Sequence, residues 1–157
     1  MIKAFLISIF ILFFGINIAL AQCDDEMGVF NCAEMFEQDN IIFLSNFTAK
    51  GKKKKKGPTE RSFNWEIYLT KNTNYRFSLC CDDGLNDILM NLHNAENPDD
   101  LPLGSTFVDG VNSVFFDFSC KTEGVYNVVI KFKDGVSEDK RLCAIGIVGY
   151  VGKKKPK

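Results

Sequence analysis

Apolar and polar residues alternate along much of the chain. The clearest case is residues 62–70, where Phe63, Trp65 and Ile67 alternate with polar neighbours. A period of two predicts strands with one buried face. We therefore predict an all-β fold, an antiparallel β-sandwich or jelly roll of seven to eight short strands. The segments that carry this pattern or a continuous apolar run are 41–49, 62–70, 75–81, 88–92, 111–120, 126–132 and 142–151.

The segments between these strands carry turn and cap signals. A glycine- and lysine-rich stretch separates 41–49 from 62–70, which predicts a hairpin with the lysines at its tip. In residues 22–40 we expect a loop with a short helix, with Asn31 as its cap and Ala33 and Phe36 on its apolar side. The predicted β-sandwich domain is 41–151, followed by a basic disordered tail at 152–157.

The first 21 residues have the features of a signal peptide. Lys3 precedes an apolar run, and small residues at Ala19 and Ala21 suit cleavage before Gln22. A membrane anchor is the alternative, but the run is short and Asn17 interrupts it. Lipidation at Cys23 is a third interpretation, which the bulky Gln22 disfavours. We expect a protein secreted to the periplasm or the extracellular space, with no transmembrane segment in its mature form.

Six cysteines follow the predicted cleavage site: Cys23, Cys32, Cys80, Cys81, Cys120 and Cys143. An even number in an exported chain is typical of disulfides. We expect all six to be bonded, with Cys23–Cys32 as the local pair and different partners for the adjacent Cys80 and Cys81. Zinc binding is disfavoured because the chain has no CxxC pair and a single histidine.

The formal net charge of -1 conceals two cationic tracts. Ten of the 18 basic residues after residue 21 lie in them, which leaves eight basic against 20 acidic residues elsewhere. Blocks of like charge repel one another and stay solvated. The tract that we predict to bind polyanions comprises Lys50, Lys52, Lys53, Lys54, Lys55 and Lys56.

Lysine side chains are hydrated point charges, so their contacts with phosphate, sulfate or carboxylate groups are loose and sensitive to salt. The expected partners are anionic polysaccharide, lipopolysaccharide or another polyanion. Sequence-specific nucleic-acid binding is disfavoured because the tract lacks arginines and interleaved aromatic residues. A solvated loop without a ligand is the alternative interpretation.

Signals of catalysis are few. A hydrolytic triad needs a histidine, and His93 lies on a predicted strand, in a chain without a Gly-x-Ser-x-Gly sequence. We therefore predict that the protein is not an enzyme and that it requires no cofactor. The turn that carries Asp82, Asp83, Asn86 and Asp87 offers oxygen ligands of the kind that calcium prefers, although its spacing is not that of an EF-hand. A solvated acidic turn is the alternative.

Three stretches resemble bacterial pre-peptidase C-terminal domains. Residues 69–77 are similar to the entry strand and Tyr-x-Phe of that family, residues 86–92 to its Asp-containing central strand, and 116–126 to its closing strand pair with Gly-x-Tyr. The chain also resembles small secreted bacterial β-sandwich proteins. The resemblance spans residues 66–132 and implies a jelly-roll accessory module of secreted proteins, in some members a calcium or polysaccharide binder. The cysteines and the lysine tract depart from the family pattern.

These observations together predict a secreted, non-catalytic binding module. The alternative is a structural or accessory protein of the cell surface or matrix with no defined small ligand. A secreted hydrolase is the outlying third hypothesis.

Overall fold

The protein is an all-β protein, as its alternating pattern predicts. The structure, a computed structural model, describes residues 29, 32, 33, 40–51, 61–81, 87–133 and 143–151. The strands within these ranges are β1 (Ile41–Lys50), β2 (Ser62–Leu69), β3 (Asn74–Cys80), β4 (Ile88–Asn94), β5 (Gly104–Ser105), β6 (Phe107–Val108), β7 (Val111–Asn112), β8 (Phe115–Ser119), β9 (Gly124–Phe132) and β10 (Cys143–Val151). The predicted signal peptide and basic tail lie outside the described residues.

The strands other than β6 and β7 form two four-stranded antiparallel sheets. Sheet A has the order β1-β10-β3-β8, and sheet B has the order β2-β9-β4-β5. The predicted hairpin of β1 and β2 is therefore wrong, because β1 pairs with β10 in sheet A and β2 pairs with β9 in sheet B. A period of two specifies which face of a strand is buried and leaves its partner open.

The two sheets pack face to face around one hydrophobic core. Phe47 of sheet A contacts Trp65 of sheet B, with ring centroids 5.6 Å apart. Gly146 of β10 lies so close to sheet B that a Cβ there would stand 3.1 Å from Ile130 Cδ1 and Met90 Sδ. The inward residues of β3, β4 and β9 complete this core. The burial of apolar side chains between the two sheets is the main contribution that holds the sheets together.

Strand β10 is apolar on both faces, so its outer face also needs a cover. Ala144 and Val148 enter the central core, whereas Ile145 and Ile147 lie on the opposite face. There they pack against the helical residues 29, 32 and 33. The segment that precedes β1 thus covers the outer face of sheet A.

A disulfide between Cys32 and Cys80 fastens this cover to β3. The prediction of a Cys23–Cys32 pair is therefore wrong, and Cys23 itself lies outside the described residues. Cys143 is also disulfide-bonded, as predicted.

Among the cysteines that the structure describes, Cys81 and Cys120 are thiols, which corrects the prediction that all six cysteines are bonded. Cys81 follows the end of β3, while the Cys120 amide donates to the carbonyl of Thr73, just before β3 begins. Eight residues of extended chain separate these positions by about 26 Å, and a disulfide needs Cα atoms within about 7 Å. Cys81 and Cys120 therefore cannot bond to each other in this fold.

The short strands β6 and β7 form a separate two-stranded ladder joined by Asp109 and Gly110. Both turn residues have positive φ, 52° and 82°. This is the conformation of a type I′ turn, which Asp-Gly adopts at low cost. The ladder lies between β5 of sheet B and β8 of sheet A, so it belongs to the crossing from one sheet to the other.

Candidate functional site

Lys50 is the one member of the predicted polyanion site that the structure describes. It is the last residue of β1, is partly buried, and lies opposite Cys143 at the start of β10. Lys52, Lys53, Lys54, Lys55 and Lys56 lie outside the described residues. The prediction that they bind a polyanion stays a prediction.

Further basic side chains lie at the same end of the two sheets, which we call the Lys50 end. At this end β1 finishes and β2 begins, and β9 finishes at Phe132. Arg61 donates from Nη1 to the Lys133 carbonyl at 3.0 Å, which ties the start of β2 to the end of β9. The Lys133 ammonium lies 4.4 Å from the centroid of the Phe107 ring, a cation–π contact.

Asp87 is the one described member of the predicted calcium site. It is exposed, and its carbonyl accepts from the Lys133 amide at 2.7 Å, so it also lies at the Lys50 end. Asp82, Asp83 and Asn86 lie outside the described residues. Among the residues that the structure does describe, no group of three or more histidine, cysteine or acidic side chains could hold a metal ion.

His93 occupies a position on β4 that suits a structural contact. Its Nδ1 lies 3.2 Å from the backbone oxygen of Asp100. Since a carbonyl only accepts, this contact is a hydrogen bond when Nδ1 carries a proton. The contact holds the polar loop 95–103 against β4.

The thiol of Cys120 lies in a buried polar cluster at the opposite end of the sheets. Its Sγ is 3.2 Å from the Thr122 carbonyl and 3.8 Å from the Tyr126 hydroxyl, which itself donates to the Thr122 carbonyl. Burial, followed by the hydrogen bond and the charge of Cys120, raises the pKa of Tyr126 to about 12. The Tyr126 hydroxyl therefore stays protonated at neutral pH, and its hydrogen bond ties β9 to the turn that precedes it.

The outer face of sheet B carries a polar row that sequence reasoning did not single out. Asn127 in the middle strand β9 lies directly opposite Glu66 of β2 and His93 of β4. Its neighbours Tyr126 and Val128 enter the core, so the side chain of Asn127 is on the outer face. In the sequence, each of the three strands has a polar residue at an outward position, and this was the signal that could have been used. Only the register of the strands shows that Glu66, Asn127 and His93 form one row.

Asn127 is unusual for a polar residue on an outer face. It is only 9% exposed, and its Oδ1 has no hydrogen-bond partner among the described residues. A buried acceptor without a donor costs about 1–3 kcal/mol. Most buried polar atoms in folded proteins are paired, so the orphaned oxygen calls for an explanation.

No family model, curated protein or solved structure matches the chain. Within the part of the chain that the structure describes, no helix is long and apolar enough to cross a membrane.

Proposed function

We propose that this protein is a secreted, non-catalytic binding module that contacts anionic surface polymers through Lys50 and residues 52–56. The observation that carries the proposal is the gathering of Lys50, Arg61 and Lys133 at one end of the sheets. Residues 52–56 lie between Gly51 and Arg61 in the sequence, and both of these residues lie at that end. A concentration of cations attracts polyanions before any specific contact forms.

The strand order supports a jelly roll as the scaffold. Without the small β6–β7 ladder eight strands remain, and the first pairs with the last, the second with the seventh, the third with the sixth and the fourth with the fifth. A hairpin ribbon rolled into two sheets gives this order. The scaffold agrees with the resemblance to pre-peptidase C-terminal domains, and we extend that resemblance to an accessory role outside the cell.

The chemistry of lysine sets the ligand class. An ammonium group offers point-charge contacts without the bidentate geometry of arginine, so the expected ligands are phosphate-, sulfate- or carboxylate-rich polymers such as lipopolysaccharide or acidic polysaccharide. Binding by such contacts weakens steeply with salt.

The test is retention of the mature protein on heparin, lipopolysaccharide and DNA over a series of salt concentrations. The matched variants each replace four lysines by serine, at 52–55 in one and at 153, 154, 155 and 157 in the other. We expect the first variant to elute at lower salt than the wild type and the second to elute with the wild type. If both variants elute at equally reduced salt concentrations, net charge alone accounts for the retention of the protein on the polymers.

Failure of the wild type to bind any of the three polymers at physiological salt would reject the proposal. The protein would then be better described as a structural or accessory component of the cell surface, with the lysines serving solvation. Calcium at the acidic turn is a separate hypothesis, and it predicts a higher melting temperature in millimolar calcium that Asp87→Asn reduces.

A further inference from the structure

The small hairpin of β6 and β7 carries exposed apolar side chains next to its turn. Val108 and Val111 lie directly opposite each other on either side of Asp109 and Gly110. The two valines are 58% and 68% exposed. We call this pair the apolar tip. Side chains of this kind gain free energy when a partner removes them from water.

The apolar tip lies at the Lys50 end. β5 runs antiparallel to β4, and β4 begins at the Lys50 end, so the chain approaches that end as it leaves β5 for the hairpin. The ring of Phe107, the first residue of the hairpin, lies 4.4 Å from the Lys133 ammonium. The Lys133 amide donates to the carbonyl of Asp87, just before β4. The apolar tip follows Phe107 directly, so it lies beside the cations of this end.

The described residues at the Lys50 end are more basic than acidic. The basic residues are Lys50, Arg61, Lys131 and Lys133, and the acidic residues are Asp87 and Asp109. Residues 52–56, which lie between Gly51 and Arg61 in the sequence, add five lysines. The Lys50 end therefore combines a cationic surface with exposed apolar side chains.

The opposite end of the sheets has the reverse charge. The exposed charged residues in its turns are the acidic Glu96, Asp99, Asp100 and Glu123 and the basic Lys71 and Lys121. Leu101 is also at this end and is 88% exposed, so an apolar side chain is present here in acidic surroundings. An anionic surface would attract the Lys50 end and repel this one, which would orient the protein.

We propose that the Lys50 end docks on an anionic lipid bilayer. The apolar tip enters the boundary between headgroups and acyl chains, and the surrounding cations face the lipid phosphates. Binding of this kind grows with the buried apolar area and with the attraction to anionic lipids. A second copy of the chain fits the apolar tip less well, because two cationic ends repel each other. The inference rests on the proposed function for export and for the lysine tract, and it names a lipid surface as the anionic partner.

The experiment is cosedimentation of the mature protein with vesicles in EDTA. One set of vesicles is an equal mixture of phosphatidylglycerol and phosphatidylcholine, and the other is phosphatidylcholine alone. We expect binding to the mixed vesicles only. Val108→Ser/Val111→Ser should weaken it by about tenfold, while retention on heparin and the melting temperature stay unchanged because both valines are exposed. Leu101→Ser is the matched control at the opposite end and should bind like the wild type.

Asp109→Asn tests the charge of the apolar tip without changing its turn. Asn-Gly suits a type I′ turn as well as Asp-Gly does, so the hairpin is kept while a negative charge is removed. Binding to the mixed vesicles should become about fivefold tighter. Asp99→Asn removes an exposed charge at the opposite end and should leave the affinity unchanged.

Three results would overturn the inference. One is equal binding of the wild type and Val108→Ser/Val111→Ser to the mixed vesicles. Another is a dimer of the wild type in sedimentation velocity that this double variant abolishes. The third is a wild type that is retained on heparin but does not bind the mixed vesicles, which would leave the proposed function intact. A wild type that binds neither the vesicles nor the polymers would reject both proposals.

Discussion

Removal of the Cys32–Cys80 disulfide is the sharpest test of the fold. The bond joins residues 48 positions apart, so reduction frees a long loop in the unfolded chain. Loop-closure entropy for that length corresponds to about 4 kcal/mol, whereas the nine-residue separation of Cys23 and Cys32 would correspond to about 2.6 kcal/mol. The larger figure is an upper bound, because the disulfide of Cys143 also constrains the unfolded chain.

We expect the double variant Cys32→Ala/Cys80→Ala to lose about 2–4 kcal/mol of unfolding free energy. The loss has a second source in the native state, where Cys32 and Cys80 pack with Ile145 and Ile147. Urea unfolding followed by the fluorescence of Trp65 measures it. Cys120→Ala is the control, since it removes a buried thiol without opening a loop.

Peptide mapping under non-reducing conditions should recover Cys32 linked to Cys80, and Cys120 should react with alkylating reagent only after unfolding. Recovery of a Cys23–Cys32 peptide would refute the pairing. A loss below about 1 kcal/mol for the double variant, no larger than that of Cys120→Ala, would refute the claim that the bond fastens the cover to sheet A.

Three further predictions concern other parts of the molecule. Gly104→Ala places a Cβ 2.4 Å from Cε2 of Phe116, so urea unfolding should show a loss of about 1–3 kcal/mol; an unchanged midpoint would mean that β5 moves aside. Tyr126 should titrate near pH 12 in absorbance spectra, and this transition should vanish in Tyr126→Phe. Because its pKa is raised from 10.0, its contribution to stability is complete below pH 10 and lost as pH rises toward 12, so the wild type should lose stability over that range more steeply than Tyr126→Phe. On duplex DNA, serine at 52–55 should reduce the slope of log affinity against log salt by about 3–4, and an unchanged slope would exclude these lysines from the contact.

The strands were predictable wherever one face is buried. Residues 62–70 show the pattern in its simplest form, and the structure has β2 there with Phe63, Trp65 and Ile67 toward the core. The pairing of strands was not predictable, because a strand forms the same alternation whichever neighbour it has. β1 illustrates this, since its partner β10 begins more than 90 residues after β1 ends. The β6–β7 turn could have been predicted from Asp109-Gly110.

The candidate sites were predictable to a smaller extent. A run of lysines is visible in the sequence, and so is a cluster of acidic residues, because both are local. The row of Glu66, Asn127 and His93 joins three strands that are distant in sequence, and each residue alone is an ordinary outward-facing polar residue. The cysteine pairing shows the same limit: proximity in sequence favoured Cys23–Cys32, whereas the cover of sheet A brings Cys32 to Cys80.

The two outer faces of the sheets differ in a way that follows from their residues. Sheet A has Ile145 and Ile147 at outward positions of a central strand, and exposure of these side chains would forfeit about 1.5–3 kcal/mol each, so residues 29, 32 and 33 cover them. The central strand β9 of sheet B has Asn127 at an outward position, next to the exposed Glu66. No apolar cover is required there, and the described residues leave Tyr68 open to solvent. The exposed face is therefore the one with hydrogen-bonding side chains, and the orphaned oxygen of Asn127 is the feature of that face that stability alone does not explain.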